Sequence, residues 1–154
     1  MECPDDIKTL AYQRIDEAKV LLDSGYSDGV FYLAGYAVEL MLKWRICKLF
    51  GIENLFSASQ ESSSAIGNGV SELRKTFKTH DLLALLLYSG LKTKFDAEKS
   101  GNLTLLKVHS LVMTQWKESI RYMHCGHTET SDVESVLILL SDHQNGFLKW
   151  IEES

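Results

Sequence analysis

The chain has 154 residues, which suits one domain better than two independently folding units. Hydrophobic residues make up 45% and charged residues 24%, which argues against a disordered chain, a collagen-like repeat or a membrane protein. The 16 Lys and Arg residues against 21 Asp and Glu residues give a formal net charge of -5. Any bound nucleic acid must therefore meet a local basic patch, because the overall field repels phosphate.

The three cysteines, Cys3, Cys47 and Cys125, are an odd number. The N-terminus lacks the basic segment and apolar run of a secretory signal, so we expect reduced thiols and a cytoplasmic protein. His124, Cys125 and His127 offer at most three zinc ligands, and the usual second half of a zinc site is missing. The sequence also has no glycine-rich phosphate loop. We therefore predict no metal and no cofactor.

The first two predicted helices differ in how their apolar residues are distributed. The first runs from about Asp5 to Leu22 and has one apolar face, and Gly25 follows its end. The segment 28–50 is apolar around most of its circumference, so it is either the central helix of a bundle or is covered by a second subunit. We therefore predict a homodimer. The charges in this segment are too frequent for a membrane span; they include Glu39, Lys43, Arg45 and Lys48.

The rest of the chain predicts a mobile loop and three more helices. Serine and glycine crowd residues 57–71, which favours a loop. Thr79 is placed to cap a short helix that ends at Gly90. Helical spacing predicts a fourth helix over 105–122, and a capping box at Ser131 starts a fifth. We expect an all-α, antiparallel up-and-down bundle of four to five helices in a single domain, 1–154.

Four segments of the sequence occur in an order that is typical of one protein family. They are Tyr32–Lys43 (YLAGYAVELMLK), Thr79–Leu82 (THDL), Trp116–Tyr122 (WKESIRY) and Phe147–Ile151 (FLKWI). Together they closely resemble the HEPN family (higher eukaryotes and prokaryotes nucleotide-binding domain), and the resemblance spans nearly the whole chain apart from the Ser-rich loop. It implies an antiparallel helical bundle, commonly a homodimer, related to the helical domains that accompany minimal nucleotidyltransferases.

The resemblance also implies a candidate activity. Members of the family are often encoded beside a nucleotidyltransferase in toxin–antitoxin pairs, and many are metal-independent RNases. Their catalytic motif is an arginine followed, after four to six residues, by a histidine. Here five residues separate Arg121 from His127, and Tyr122 and His124 lie between them as supporting residues. The resemblance thus implies Arg121 and His127 as the catalytic pair.

Metal-free RNA cleavage needs a base for the 2′-hydroxyl proton and a cation for the negatively charged phosphorane. His127 suits the first task and the guanidinium of Arg121 the second. A structural interpretation remains open, in which Arg121 pairs with a carboxylate at a helix end and His127 lies in a solvated turn. The second hypothesis for function is therefore a catalytically silent module that binds a nucleotidyltransferase, a nucleotide or another protein.

Two further groups of residues are weaker candidates. Tyr32, Tyr36, Glu39 and Lys43 form a polar and aromatic stripe on the central helix. Glu39 either orients Arg121 or a histidine across a cleft, or forms only an i,i+4 pair with Lys43. The densest basic cluster is the second group, which either contacts RNA phosphates or is a solvated surface; its members are Arg74, Lys75, Lys78 and His80.

Overall fold

The computed structural model describes residues 3–53, 55–56 and 65–154, and in these residues the regular structure is helical, with no strand. The α-helices are α1 Pro4–Asp23, α2 Ser27–Phe50, α3 Ala65–Phe77, α4 Leu82–Tyr88, α5 Lys92–Glu98, α6 Leu103–Val108, α7 Thr130–Ser141 and α8 Phe147–Glu153. A π-helical turn, His109–Met113, continues α6, and a 3₁₀ turn, Glu118–Tyr122, precedes α7. The all-α prediction is confirmed. The predicted number of four to five helices is wrong, since the described residues contain eight.

The first two helices form an antiparallel hairpin. Pro4 occupies the first turn of α1, where its missing amide costs nothing, and Asp5 lies at the positive end of the helix dipole. Gly25, with φ of +80°, makes the turn into α2. The indole Nε1 of Trp44, near the end of α2, donates to Oδ1 of Asp5 at 3.2 Å. The end of α2 therefore lies beside the start of α1.

Helix α2 is the centre of the molecule. It packs against α1, α4, α7, α8 and the 3₁₀ turn, and residues on all sides of it are buried, from Val30 to Cys47. One hydrophobic cluster joins side chains from all eight helices. A single chain thus covers the apolar circumference of α2, which removes the argument on which the homodimer was predicted; the oligomeric state itself stays a prediction. No helix in the described ranges has the length and apolar character needed to cross a membrane.

The predicted loop at 57–71 is partly wrong. Its first part, 57–64, lies outside the described residues, but residues 65–71 belong to α3. The glycines and serines of this segment disfavour a helix, yet Val70, Leu73 and Phe77 recur at helical spacing. Phe77 is buried against the ring of Phe50, with 5.3 Å between the ring centroids. Tertiary packing of this apolar stripe therefore overrides the local composition.

The capping residue of α4 also differs from the prediction. Oδ1 of Asp81, rather than the hydroxyl of Thr79, accepts the amide hydrogens of Leu83 and Ala84, at 2.9 and 3.1 Å. Thr79 instead accepts the amide hydrogen of Asp81 at 3.2 Å. The helix begins two residues later than a Thr79 cap requires, which leaves His80 in the non-helical segment before α4.

The predicted fourth helix over 105–122 is interrupted. Residues 114–117 leave the helical path, and Lys117 is extended. The Nε1 of Trp116 donates to the backbone carbonyl of Tyr32 at 3.1 Å, and the Trp116 ring lies directly against Gly35 of α2. Because the Trp116 ring is buried against α2, the chain does not continue as a helix here. The 3₁₀ turn that follows Trp116 therefore lies beside the middle of α2.

We expect Gly35→Ala to destabilise the fold by about 1–3 kcal/mol, because a Cβ at this position overlaps the ring of Trp116. Urea unfolding followed by circular dichroism measures the change. The matched control is Gly69→Ala in α3, where a Cβ meets nothing within 4 Å; this variant should be neutral or slightly stabilised. Equal effects of the two substitutions would contradict the proposed packing of Trp116.

Candidate functional site

A buried ion pair lies on one face of α2. Nζ of Lys43 donates to Oε1 of Glu39 at 2.8 Å, and the two side chains are 2% and 1% exposed. Both charges lose their hydration on folding, so each depends on its partner for compensation. Tyr36 and Tyr32 continue the same face about one and two turns before Glu39, with stacked rings 6.2 Å apart. The predicted stripe on the central helix therefore exists as a polar strip within the core.

The second partner of the Glu39 carboxylate is the imidazole of His80. Nδ1 of His80 lies 2.9 Å from Oε2 and 3.1 Å from Oε1 of Glu39. An ionised carboxylate accepts hydrogen bonds but cannot donate them, so Nδ1 carries the hydrogen and Nε2 is left to face outward. The His80 side chain is 43% exposed while Glu39 is buried. His80 therefore lies between the buried carboxylate of Glu39 and the solvent.

Glu118 connects His80 to Arg121. Oε2 of Glu118 lies 3.6 Å from Nε2 of His80, and its Oε1 lies 2.5 Å from a terminal nitrogen of Arg121. A chain of polar contacts therefore runs from Lys43 and Glu39 through His80 and Glu118 to Arg121. Its members come from α2, from the segment before α4 and from the 3₁₀ turn.

Arg121 has three more neighbours in this region. A hydrogen bond to Tyr32, and then the charge of Glu118, raise the pKa of the Arg121 guanidinium. This guanidinium also lies over the ring of Tyr122, 4.8 Å from its centroid. Burial, and then Glu39, raise the pKa of Tyr36, while Arg14 and Arg121 act in the opposite direction. Arg121 is therefore held beside the aromatic end of the strip.

A cavity of about 510 Å³ opens beside His80. Its lining residues come from the start of α4 and from the segment that ends in the 3₁₀ turn; they are His80–Leu83, Met113, Thr114 and Trp116–Ser119. The cavity therefore offers the exposed cation Lys117 and the outer edge of His80 to a bound molecule.

His127 lies elsewhere. Its Nδ1 is 3.2 Å from Oδ1 of Asp28 and 2.9 Å from the backbone carbonyl of His124, and it lines a separate cavity of about 260 Å³ with Phe31 and Gln115 among its neighbours. No hydrogen bond or ion pair of the described residues joins Arg121 to His127. The structure brings Arg121 together with His80, through Glu118, rather than with His127. Arg121 does pair with a carboxylate, as the structural interpretation anticipated.

Asp28, in the first turn of α2, holds the loop that carries His127. Its carboxylate accepts the amide hydrogens of Gly126 and Thr128, at 2.5 and 3.0 Å. Burial raises the pKa of Asp28, but the hydrogen bonds from Gly126 and Thr128 and the charge of His127 outweigh it, so the net pKa is lowered. Gly126 has a φ of +89°, which side-chain-bearing residues rarely adopt.

The predicted basic cluster spans the last turn of α3 and the segment before α4. Arg74 and Lys75 lie in the last turn of α3, and Lys75 pairs with Glu72 at 2.7 Å. Lys78 is exposed beyond the helix end. His80, the fourth member, turns to Glu39 instead. The hypothesis that all four residues bind RNA therefore stays a prediction.

Sequence reasoning missed Glu118 and did not pair Glu39 with His80 in particular. Glu118 lies three residues before Arg121, a spacing that brings side chains together on one helical turn, and this was an available signal. The contact between Glu39 and His80 joins positions 41 residues apart. Spacing along the chain carries no information about such a contact.

In the part of the chain that the structure describes, no three side chains of His, Cys, Asp or Glu gather as metal ligands. Comparisons with models of known protein families, with curated proteins and with solved structures find no match to this chain. The interpretation of the site therefore depends on its own geometry and on the resemblance described above.

We expect Glu39→Gln to lower the free energy of unfolding by about 3 kcal/mol or more, because it leaves Lys43 as an uncompensated buried charge. The double variant Glu39→Gln/Lys43→Met should recover most of this loss, since methionine replaces the ammonium with an apolar group of similar length. Urea unfolding of the wild type, both single variants and the double variant measures the coupling. Additive effects of the two substitutions would argue against a buried pair.

Asp28→Asn should cost roughly 1–2 kcal/mol of stability at neutral pH, because an amide is a weaker acceptor than a carboxylate for the amides of Gly126 and Thr128. Since folding lowers the pKa of Asp28, its contribution is complete above the unfolded pKa of about 4 and is lost as the pH falls through the folded pKa. Unfolding free energies measured between pH 7 and pH 2 test this dependence. Asp23→Asn, at an exposed position of α1, is the control. A constant difference between Asp28→Asn and the wild type across this range would contradict it.

Proposed function

We propose that this chain is a HEPN-like helical protein that acts on RNA or nucleotides, and that it cleaves RNA without a metal ion. The observation that carries the proposal is the arrangement of Arg121 and His80 around Glu118, beside a cavity of about 510 Å³. The all-helical fold and the central position of α2 are consistent with it. The proposal includes a cytoplasmic location, a homodimer and a partner of the minimal nucleotidyltransferase class, in a toxin–antitoxin-type pair.

The reaction uses groups that lie at this site. A histidine takes the proton of the 2′-hydroxyl, the 2′-oxygen forms a bond to phosphorus, and the bond from phosphorus to the 5′-oxygen breaks. The leaving 5′-oxygen takes a proton from water, and the histidine returns its own proton to the solvent. Arg121 stabilises the negative charge of the phosphorane with its planar fork of donors.

Two histidines are candidates for the proton transfer. The family motif favours His127, which Asp28 holds by Nδ1. The geometry favours His80, which Glu39 holds by Nδ1 and which shares Glu118 with Arg121. In both, a carboxylate fixes one ring nitrogen and leaves the other for the substrate.

A specific observation favours the second candidate function, a silent binding module. Arg121 already has Glu118 and Tyr32 as partners, and large apolar side chains lie exposed next to it. Tyr122 is 77% and Met123 56% exposed, which is typical of side chains that a partner protein covers. In this alternative Arg121 and Tyr122 serve an interface with a nucleotidyltransferase or another protein.

Incubation of the purified protein with single-stranded RNA in excess chelator tests the first function. We expect cleavage to leave a 2′,3′-cyclic phosphate at the 3′ end of the upstream fragment and a 5′-hydroxyl on the downstream fragment, and Arg121→Ala to slow it at least a hundredfold. Arg121→Lys should also be impaired, because it keeps the charge but loses the planar fork. His127→Ala and His80→Ala, compared at equal concentration, identify the histidine that transfers the proton.

Circular dichroism of each variant controls for loss of fold. Cleavage that persists in Arg121→Ala would contradict the proposal and indicate a contaminating nuclease. If the wild type cleaves no RNA but binds a co-expressed nucleotidyltransferase, and Tyr122→Ala weakens that binding, the second function replaces the first.

A further inference from the structure

The carboxylate of Glu118 lies between nitrogen atoms of two side chains from different parts of the fold. One oxygen faces Arg121 and the other faces Nε2 of His80. Arg121 belongs to the same 3₁₀ turn as Glu118, but His80 approaches from the segment before α4. A group with oxygens on two sides and a negative charge is therefore what this gap accommodates.

We infer that the gap between His80 and Arg121 is a phosphate-binding site, and that Glu118 is its internal occupant in the free protein. The inference rests on the proposed function only for the source of the phosphate, the backbone of an RNA strand. A guanidinium donates to phosphate oxygens, and so does an imidazole that carries a hydrogen on both ring nitrogens, so His80 binds phosphate in its protonated form. A phosphate offers more oxygens and more charge than a carboxylate. Phosphate binding displaces Glu118 toward solvent.

The surroundings of Glu118 permit this displacement. Its side chain is 33% exposed, and those of His80 and Arg121 are 43% and 41% exposed, so a ligand reaches all three. The turn itself is fixed by Trp116 and Ile120, which are buried. Rotation of the Glu118 side chain therefore leaves the core packing unchanged.

The two donors are held independently of Glu118. Glu39 holds Nδ1 of His80, and the guanidinium of Arg121 lies over the ring of Tyr122, 4.8 Å from its centroid. Glu39 lies on α2, and Tyr122 lies in the 3₁₀ turn. The donors therefore remain in place when Glu118 leaves, and the site is largely formed before the ligand arrives.

In this proposal the rest of a nucleotide lies in the adjoining cavity. His80 and Glu118 line this cavity of about 510 Å³, which also contains Trp116 and Lys117. A phosphate in the gap therefore continues into a space that has room for a sugar and base and that carries a second cation, Lys117. These features match a strand of nucleic acid better than an isolated inorganic ion.

Calorimetric titration of inorganic phosphate into the full chain tests the site directly. We expect Glu118→Gln to raise the affinity at least fivefold, because it removes the competing carboxylate with little change in shape. The matched control is Glu153→Gln, which removes the same charge from the pair with Lys149 on α8 and should change the affinity less than twofold. Adding His80→Ala or Arg121→Ala to Glu118→Gln should abolish the gain.

Two results would overturn the inference. Equal gains in Glu118→Gln and Glu153→Gln would mean that net charge alone is responsible, and a gain that survives His80→Ala would place the phosphate elsewhere. Failure of Glu118→Gln to bind phosphate better than the wild type also contradicts it, provided that Glu118→Ser behaves in the same way. Thermal unfolding of every variant verifies the fold.

The same variants separate this inference from the proposed function. If phosphate binds as expected but the wild type does not cleave RNA, the phosphate site is supported and the nuclease proposal fails. If the wild type cleaves RNA and substitutions of Glu118 and His80 do not change the rate, the nuclease proposal is supported and this phosphate site is contradicted. A single-stranded DNA of the same sequence, which lacks the 2′-hydroxyl, should bind more tightly to Glu118→Gln than to the wild type and stay intact.

Discussion

The buried pair of Glu39 and Lys43 is the constraint on which the rest of the site depends. Two charges on the central helix lose their water, and neither is stable there without a partner. Lys43 supplies one partner from one turn along α2, but a carboxylate has two oxygens and further acceptor capacity. His80 satisfies that capacity, and in doing so it becomes fixed at the edge of the core. A packing requirement of the core thus orients a titratable side chain at the surface.

The position of Trp116 supplies the second half of the arrangement. Its ring lies against Gly35, and its indole nitrogen is bonded to the carbonyl of Tyr32 on the same helix. This contact ends the helical path after Met113 and places the 3₁₀ turn opposite the polar strip of α2. Glu118 and Arg121 therefore meet His80 because one aromatic side chain is anchored next to a glycine.

Sequence patterns predicted the parts of this molecule that depend on local periodicity. The first two helices, the central position of α2 and the stripe through Glu39 and Lys43 follow from apolar spacing along the chain. The break before the 3₁₀ turn and the helix at 65–77 were missed, because long-range packing of Trp116 and Phe77 decides them. The site shows the same division. Arg121 was predicted from a motif, whereas its connection to His80 joins segments that spacing along the chain does not relate.

The central claim is that Glu39 orients His80 so that Nε2 faces the groove shared with Glu118 and Arg121. Nitrogen-15 NMR of histidine-labelled protein, at a pH where the imidazole is neutral, reports directly which ring nitrogen carries the hydrogen. The arrangement predicts that His80 is protonated on Nδ1 in the wild type, and that this preference weakens in Glu39→Gln/Lys43→Met. Assignment of His80 to the Nε2-protonated form in the wild type, or the same tautomer balance in both proteins, would contradict it.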